Sequence, residues 1–401
     1  MKLERAVVLS EGPPGLRVAA WLARRGVAVR HLGLGPTPVD PAWPSVVVGH
    51  RSVLQPWTGR LIDVAGPRRP LHRGELVEIP GRRRDLAAAA GGSLIGLTRD
   101  LRPRRRRPTT LGEWGVRQHG VSAWEGLLRP LLTKQLGTGC DPLPVSLAGL
   151  LIAPAGARGW APGTDAREAA EAQREAVLSA GGESLCSVQV EGIEVEDGRV
   201  AAVMTEFGRE RVDGGLYTDL PPSHIASLLP KDALTAGARA ALAALPVEAR
   251  TVVELRVEAA GLPWEIWVTD PQSPAIRLQR ASGRPGEPRP DRLFVTVGGP
   301  EAEAEGVAQR LVSPLAEVKG VLGTTRHTVP VALRSTEGLD ALKRLGALGI
   351  VGVGARALHL PLSLSHEARL AAAWAAARAP GQALEELLVP PPSVRGRELL
   401  P

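Results

Sequence analysis

The sequence predicts an α/β fold that opens on a parallel β-α-β unit, and three observations predict it. Ala6-Val7-Val8-Leu9 is a short apolar run suited to a buried strand. Ser10-Glu11-Gly12-Pro13-Pro14-Gly15 forms a turn. Leu16, Ala19, Ala20, Leu22 and Ala23 then recur at helical spacing as far as Gly26, a residue suited to end a helix. Val27-Ala28-Val29-Arg30-His31-Leu32 reads as the second strand, and the helical crossover makes the two strands parallel.

The following segments take their character from spacing and turn chemistry. Residues 36–108 are irregular, rich in Pro and Gly, and hold the basic clusters Arg82-Arg83-Arg84 and Arg104–Arg107. Residues 109–152 turn helical: Thr109 or Thr110 can cap a helix with Glu113 nearby, and Leu127, Leu128, Leu131 and Leu132 make an apolar stripe. A helix over 166–180, with Ala169, Ala172, Ala176, Val177 and Leu178, stops at Gly181-Gly182. Strand patterns at Ser187–Val190 and Gly192–Val195 lead through an Asp197-Gly198 hairpin turn into Val200–Val203. Strands are expected at Thr251–Val257, Glu265–Val268 and Leu293–Val297, a helix over 301–318 and an Ala-rich helix over 366–378. No internal repeat is present.

Composition bounds the class. The 401 residues are 44% apolar, 23% charged and 3% aromatic, which excludes a disordered, collagenous or disulfide-stapled chain. Cys140 and Cys186 lack the spacing of a zinc site or disulfide framework. No apolar run reaches the roughly 20 residues a bilayer span needs. MKLERAVVLS carries no signal-peptide core, so a cytoplasmic, reducing setting is expected. The formal charge of +7 comes from 49 basic residues of which only five are lysine. That arginine excess, with 46 Gly and 36 Pro, reads as a coding bias rather than a partner signal.

The order of the segments resembles the flavin-dependent amine oxidase superfamily, and most closely its protoporphyrinogen oxidase branch. Four stretches carry the resemblance. Val7–Gly15 with its helix and second strand is similar to the family's dinucleotide-fold opening. Thr110-Leu111-Gly112-Glu113-Trp114 through Leu127–Leu132 to Asp141-Pro142-Leu143-Pro144-Val145-Ser146 is similar to its helical segment. Ala180–Glu183 through Gly198-Arg199-Val200 to Leu220-Pro221-Pro222-Ser223-His224 matches its strand, hairpin and proline loop. Leu348–Gly354, followed by Glu367–Ala373, stands where the family has its last FAD-binding strand and helix. The resemblance covers most of the chain through the shared order of motifs. It implies a discontinuous Rossmann-like FAD/NAD(P)-binding-type domain from residues 1–48, 166–235 and 335–380. It also implies an inserted α+β substrate-type domain from 49–94 and 236–334, a helical subdomain over 95–165 and a C-terminal tail over 381–401.

If FAD binds, the resemblance assigns its contacts to Ser10, Gly12, Pro13, Gly15, Gly33, Val188, Gly352 and Val353. Several of these depart from the pattern that flavin chemistry needs. A dinucleotide loop uses glycines for a tight turn, for close approach to the pyrophosphate and for helix packing. Ser10 replaces the first, Gly12 and Gly15 keep the others, and Glu11 adds a carboxylate beside the phosphate position. Pro13 and Pro14 suit a first helical turn. The ribose-binding acid expected at the end of the second strand falls at Gly33, and the nearest acid is Asp40. Gly352 is followed by Val353-Gly354-Ala355 rather than an acidic or amide residue, and Ser365-His366 replaces the family's Ser-Gly at the start of the last helix.

Other residues point to chemistry less sharply. The eight histidines form no metal-ligand pair, and His224 alone follows a loop that would lie near a cofactor edge. Ser10 and Ser365 lack a nucleophile elbow. Arg102, Arg104, Arg105, Arg106 and Arg107 form the densest charge run, a solvated linker or else a contact for an acidic ligand, a protein partner or an anionic membrane surface through residues 95–160. No aromatic residues interleave these arginines, which argues against nucleic acid. Trp114 and Trp124 are expected in a core or interface, and Trp264 and Trp267 in the substrate domain. Two functions follow. One is a non-oxidising binding, scaffold or regulatory protein with eroded FAD motifs and no cofactor, its catalytic residues unassigned. The alternative is an active FAD-dependent oxidoreductase passing hydride to the flavin, with arginines such as Arg129 or Arg250 meeting substrate carboxylates.

Overall fold

A parallel sheet forms around β1 because Ala6, Val7, Val8 and Leu9 are fully buried, with covering layers on both of its faces. A computed structural model describes residues 5–35, 47–49, 61–64, 68–72, 75–76, 108–148, 158–162, 166–258, 262–282, 288–331, 336–353, 356–357 and 359. The chain begins β1 (Arg5–Ser10), α1 (Pro13–Arg24), β2 (Ala28–Gly33), β3 (Val47–Gly49), β4 (Leu61–Val64), β5 (Arg68–His72) and β6 (Glu75–Leu76). Next come α2 (Leu111–His119) and the composite helix α3, in which Val121–Ala123 and Arg129–Leu136 flank a π-turn, Trp124–Leu128. Then follow β7 (Arg158–Pro162), α4 (Ala166–Ser179), β8 (Glu183–Leu185), β9 (Val190–Glu196), β10 (Arg199–Thr205), β11 (Gly208–Arg211) and β12 (Leu216–Thr218). The described part ends with α5 (Pro222–Leu228), α6 (Ala236–Ala243), β13 (Val247–Glu258), β14 (Glu265–Val268), β15 (Ala275–Ser282), β16 (Pro288–Gly298), α7 (Glu301–Val312), β17 (Glu317–Pro330), α8 (Thr336–Ala347) and β18 (Ile350–Gly352).

Among the described residues, five strands make the first sheet, in the order β18-β12-β1-β2-β8, every pairing parallel. Alternation along β1 feeds two cores. Ala6 and Val8 join Val18, Ala19, Leu22 and Val177 under α1 and α4. Val7 and Leu9 join Leu32, Leu216, Ile225, Leu242 and Leu345 under α5, α6 and α8. The α1 helix starts on prolines, whose missing N–H is harmless there, and Gly26 (φ 80°) follows it. The expected hairpin is present: Asp197 (φ 51°) and Gly198 (φ 72°) both take the left-handed backbone that a two-residue turn demands.

The second sheet has seven strands among the described residues, β17-β13-β16-β15-β14-β5-β6, and α7 covers it through Ala304, Val307, Ala308 and Val312. Its β5 strand pairs parallel to β14, joining residues far apart in sequence. The helical unit packs Leu111, Trp124, Leu132, Leu136, Cys140 and Leu143 together. Thr110 caps α2 by accepting the Glu113 N–H (3.2 Å), and Glu113 accepts the Thr109 N–H (2.9 Å).

The structure departs from expectation in places where apolar periodicity is weak. The helix expected over 301–318 stops at Val312, and the next fourteen-residue element is strand β17. Its Gly320, Gly323, Thr324 and Thr325 show no apolar alternation, because β17 is an edge strand with most of its side chains exposed. Strands β11 and β15 also escape the sequence pattern. The Arg82–Arg84 cluster, Arg102, Arg104–Arg107, Asp40, Ser365, His366 and the 366–378 segment lie outside the described residues. Among the described residues no helix is long and apolar enough to cross a membrane.

Candidate functional site

Open parallel sheets of this kind receive ligands beyond the carboxyl ends of their strands. Here that edge is formed by Ser10 on β1, Gly33 on β2, Thr218 on β12 and Gly352 on β18. Ser10, Gly12, Pro13, Gly15, Gly33, Val188, Gly352 and Val353 all come to this edge or its loops. The residue at its centre is one the sequence did not single out.

That residue is Asp219, which follows β12 directly. Its Oδ1 accepts the Glu11 N–H at 2.9 Å, and its Oδ2 accepts the Gly12 and Gly15 N–H groups at 3.1 Å each. Asp219 is 4% exposed. Burial pushes its carboxyl up to about 7, against the pull of the three backbone bonds and the Arg356 charge. The signal that could have found it is its position, an acid at the end of a central parallel strand, facing the glycine loop. Its partners lie over 200 residues away in sequence.

The Glu11 side chain turns away from the loop. One oxygen accepts from Arg356 Nη1 at 2.8 Å and the other stands 3.7 Å from His224 Nδ1. Ser10 ends β1 in extended conformation, without the positive φ that would disfavour a side chain. Its Oγ lies 2.7 Å from His31 Nε2, and His31 Nδ1 lies 2.8 Å from Ser184 Oγ. Burial first, then the charge of Arg174, lowers His31 to about 4, so the ring is neutral and one nitrogen donates while the other accepts.

At the end of β2 the 185–188 segment lies across Gly33. A Cβ there would meet the Leu185 carbonyl at 3.3 Å and Cys186 Cα at 3.7 Å. The Gly33 carbonyl accepts the Val188 N–H at 2.8 Å. At the end of β18, the buried Val353 donates its N–H to Thr218 at 2.7 Å, and a Cβ on Gly352 would meet the Ala357 carbonyl at 3.2 Å.

The remaining candidates are occupied structurally. Arg129 pairs with Glu125 and, at 3.3 Å, with Asp141. Arg250, 8% exposed, donates to the Lys134 and Gln135 carbonyls at 3.2 and 3.1 Å and pairs with Glu248 at 2.7 Å. Lys134 in turn donates to the Ser273 and Ala275 carbonyls at 2.8 Å each, and burial lowers its amine to about 8. These reciprocal bonds fasten the end of α3 to the seven-stranded sheet. Cys140 is buried, which raises its thiol pKa, while Cys186 is exposed. Trp124 lies in the helical core and Trp267 in the sheet. Among the described residues, no group of three His, Cys, Asp or Glu is placed to hold a metal ion.

This architecture is a Rossmann-like α/β fold built on a parallel sheet. It is similar to the structure of a reduced UDP-galactopyranose mutase (TM-score 0.66, 12% identity, covering 96% of this chain and 95% of that one). An oxidoreductase from Methanosarcina mazei is similar at TM-score 0.62 and 14% identity, over 87% of this chain and 94% of its own. Cyclohexylamine oxidase from Brevibacterium oxydans is similar at TM-score 0.54 and 14% identity, over 96% and 98%. No protein-family model and no curated protein matches the sequence.

Proposed function

We propose that this chain is a non-oxidising relative of the protoporphyrinogen oxidase and amine oxidase type, a binding, scaffold or regulatory protein that does not hold FAD through its dinucleotide loop. One observation carries the reading: five backbone N–H groups at the carboxyl edge of the parallel sheet are engaged within the chain. Glu11, Gly12 and Gly15 donate to Asp219, Val188 to Gly33 and Val353 to Thr218. A flavin dinucleotide needs such donors for its pyrophosphate, and the Asp219 carboxyl already occupies three of them. Gly33 offers no carboxylate to ribose hydroxyls, a loss of about 1.5–3 kcal/mol for a charged hydrogen bond. Residues around the site therefore fit FAD poorly.

The arginine run Arg102 and Arg104–Arg107 is the proposed contact for an acidic protein partner, a small acidic ligand or an anionic surface. Two free cysteines suit a reducing, cytoplasmic setting. The test is the visible spectrum of the purified protein, before and after incubation with FAD. The expected protein is colourless and takes up none. Stoichiometric bands near ~375 and ~450 nm overturn the reading.

A further inference from the structure

The first turn of a helix gathers N–H groups that have no partner within the helix, together with the positive end of its dipole. In α1 those groups belong to Gly12, Pro13, Pro14 and Gly15. The two prolines carry no N–H, so Gly12 and Gly15 remain, with Glu11 just outside. All three converge on the Asp219 carboxylate. Asp219 is not a local cap: it reaches Glu11 across a sequence separation of 208 residues, from the end of a different strand. A carboxylate buried this deeply is tolerated only when its oxygens are hydrogen-bonded, and here both are. A second layer closes outside it, where Glu11 reaches Arg356 and stands near His224, tying the loop to the residues after β18 and to α5.

We infer that Asp219 is an internal ligand of the glycine loop, a side-chain carboxyl that takes the place of a bound phosphate as acceptor of the loop's N–H groups, so that α1 docks on β1 and β12 without any cofactor. The inference rests on the reading that this loop does not hold FAD, and adds what holds the loop in its stead. Removing the carboxylate leaves three convergent donors around a gap, and the class of ligand they then suit is an inorganic phosphate or phosphoanhydride.

The experiment compares the full-length protein with Asp219→Ala, following thermal unfolding against sodium pyrophosphate at constant ionic strength. The wild-type Tm is expected to ignore pyrophosphate. Asp219→Ala is expected to melt several degrees lower, to recover on adding pyrophosphate, and to bind it at least about tenfold more tightly than wild type. An unchanged Tm in the variant overturns the inference, as does an equal response of both proteins. A variant that loses stability without gaining affinity also overturns it, since Asp219 is then an acceptor but does not stand in a phosphate's place. Should Asp219→Ala fail to fold, Asp219→Ser takes its place in the same pyrophosphate titration with the same expected and overturning results, and amide exchange in the wild type adds a check: Gly12 and Gly15 are expected to be protected, and free exchange overturns the inference. A colourless wild type with freely exchanging amides would sink this inference alone, whereas stoichiometric flavin would sink both readings.

Discussion

A Cβ on Gly15 would stand 2.2 Å from the Cβ of Ser10, so α1 rests on the end of β1 at a distance that only glycine permits. The same Gly15 gives its N–H to Asp219, which couples the close approach to the loop's hydrogen bonds. Gly15→Ala must therefore push the helix away from the strand, at a cost of about 1–3 kcal/mol for overpacking. A lower urea midpoint with an unchanged m value is expected. Adding Ser10→Gly should restore part of the loss, because it removes the atoms that clash; an additive double variant would contradict the geometry.

Asp219 and His31 are expected to drive stability in opposite directions with pH. The folded state holds the Asp219 proton up to about 7, whereas a free carboxyl releases it near 3.8, so this group weakens the fold as pH rises between those values. Folded His31 refuses a proton until about 4, whereas the unfolded chain takes one near 6.5, so it weakens the fold as pH falls through that window. The two effects oppose each other between about 4 and 6.5. Asp219→Asn should leave a stability that rises with pH across the window, and His31→Asn one that falls. Urea midpoints measured at several pH values distinguish them, and parallel slopes in the two variants would refute the assignment.

Arg250 closes the end of α3 from a strand of the other sheet, and its guanidinium also holds Glu248. Arg250→Ala leaves the Lys134 and Gln135 carbonyls without their charged donor, a loss of about 1.5–3 kcal/mol. Arg250→Lys should recover little of it, since one ammonium cannot reproduce the fork. Global unfolding by circular dichroism reads the difference. If the alanine variant is as stable as wild type, this interlock is not what joins the helical unit to the sheet.

Trp124 lies so close to Gly115 that a Cβ there would fall 2.0 Å from the indole ring, while the indole N–H donates to Asp141 at 3.0 Å. Gly115→Ala should expel the ring from the helical core and expose it to water. Red-shifted tryptophan emission and a lower Tm are the expected signs. Because the helix itself favours alanine over glycine by about 1 kcal/mol, a more stable variant would show that the core can yield.

Much of the fold is written in short-range chemistry. The apolar run at Ala6–Leu9, the prolines opening α1 and Gly26 behind it, the Thr110–Glu113 cap and the Asp197-Gly198 turn each act over a few residues, and each element is present. The candidate edge was legible for the same reason, since Ser10, Gly12, Gly15 and Gly33 sit at the ends of recognisable elements. Strand β17 was not legible, because an exposed edge strand needs no apolar alternation to pair along one side.

What the sequence by itself determined is the parallel α/β opening and the place where its strands end. Only the tertiary structure decided what stands at that place. Asp219 meets Gly12 and Gly15 because β1 and β12 run side by side in the sheet, a pairing that no local pattern contains. Backbone donors are satisfied by whatever acceptor the folded chain brings within 3 Å or so, and a buried carboxylate settles only where such donors converge.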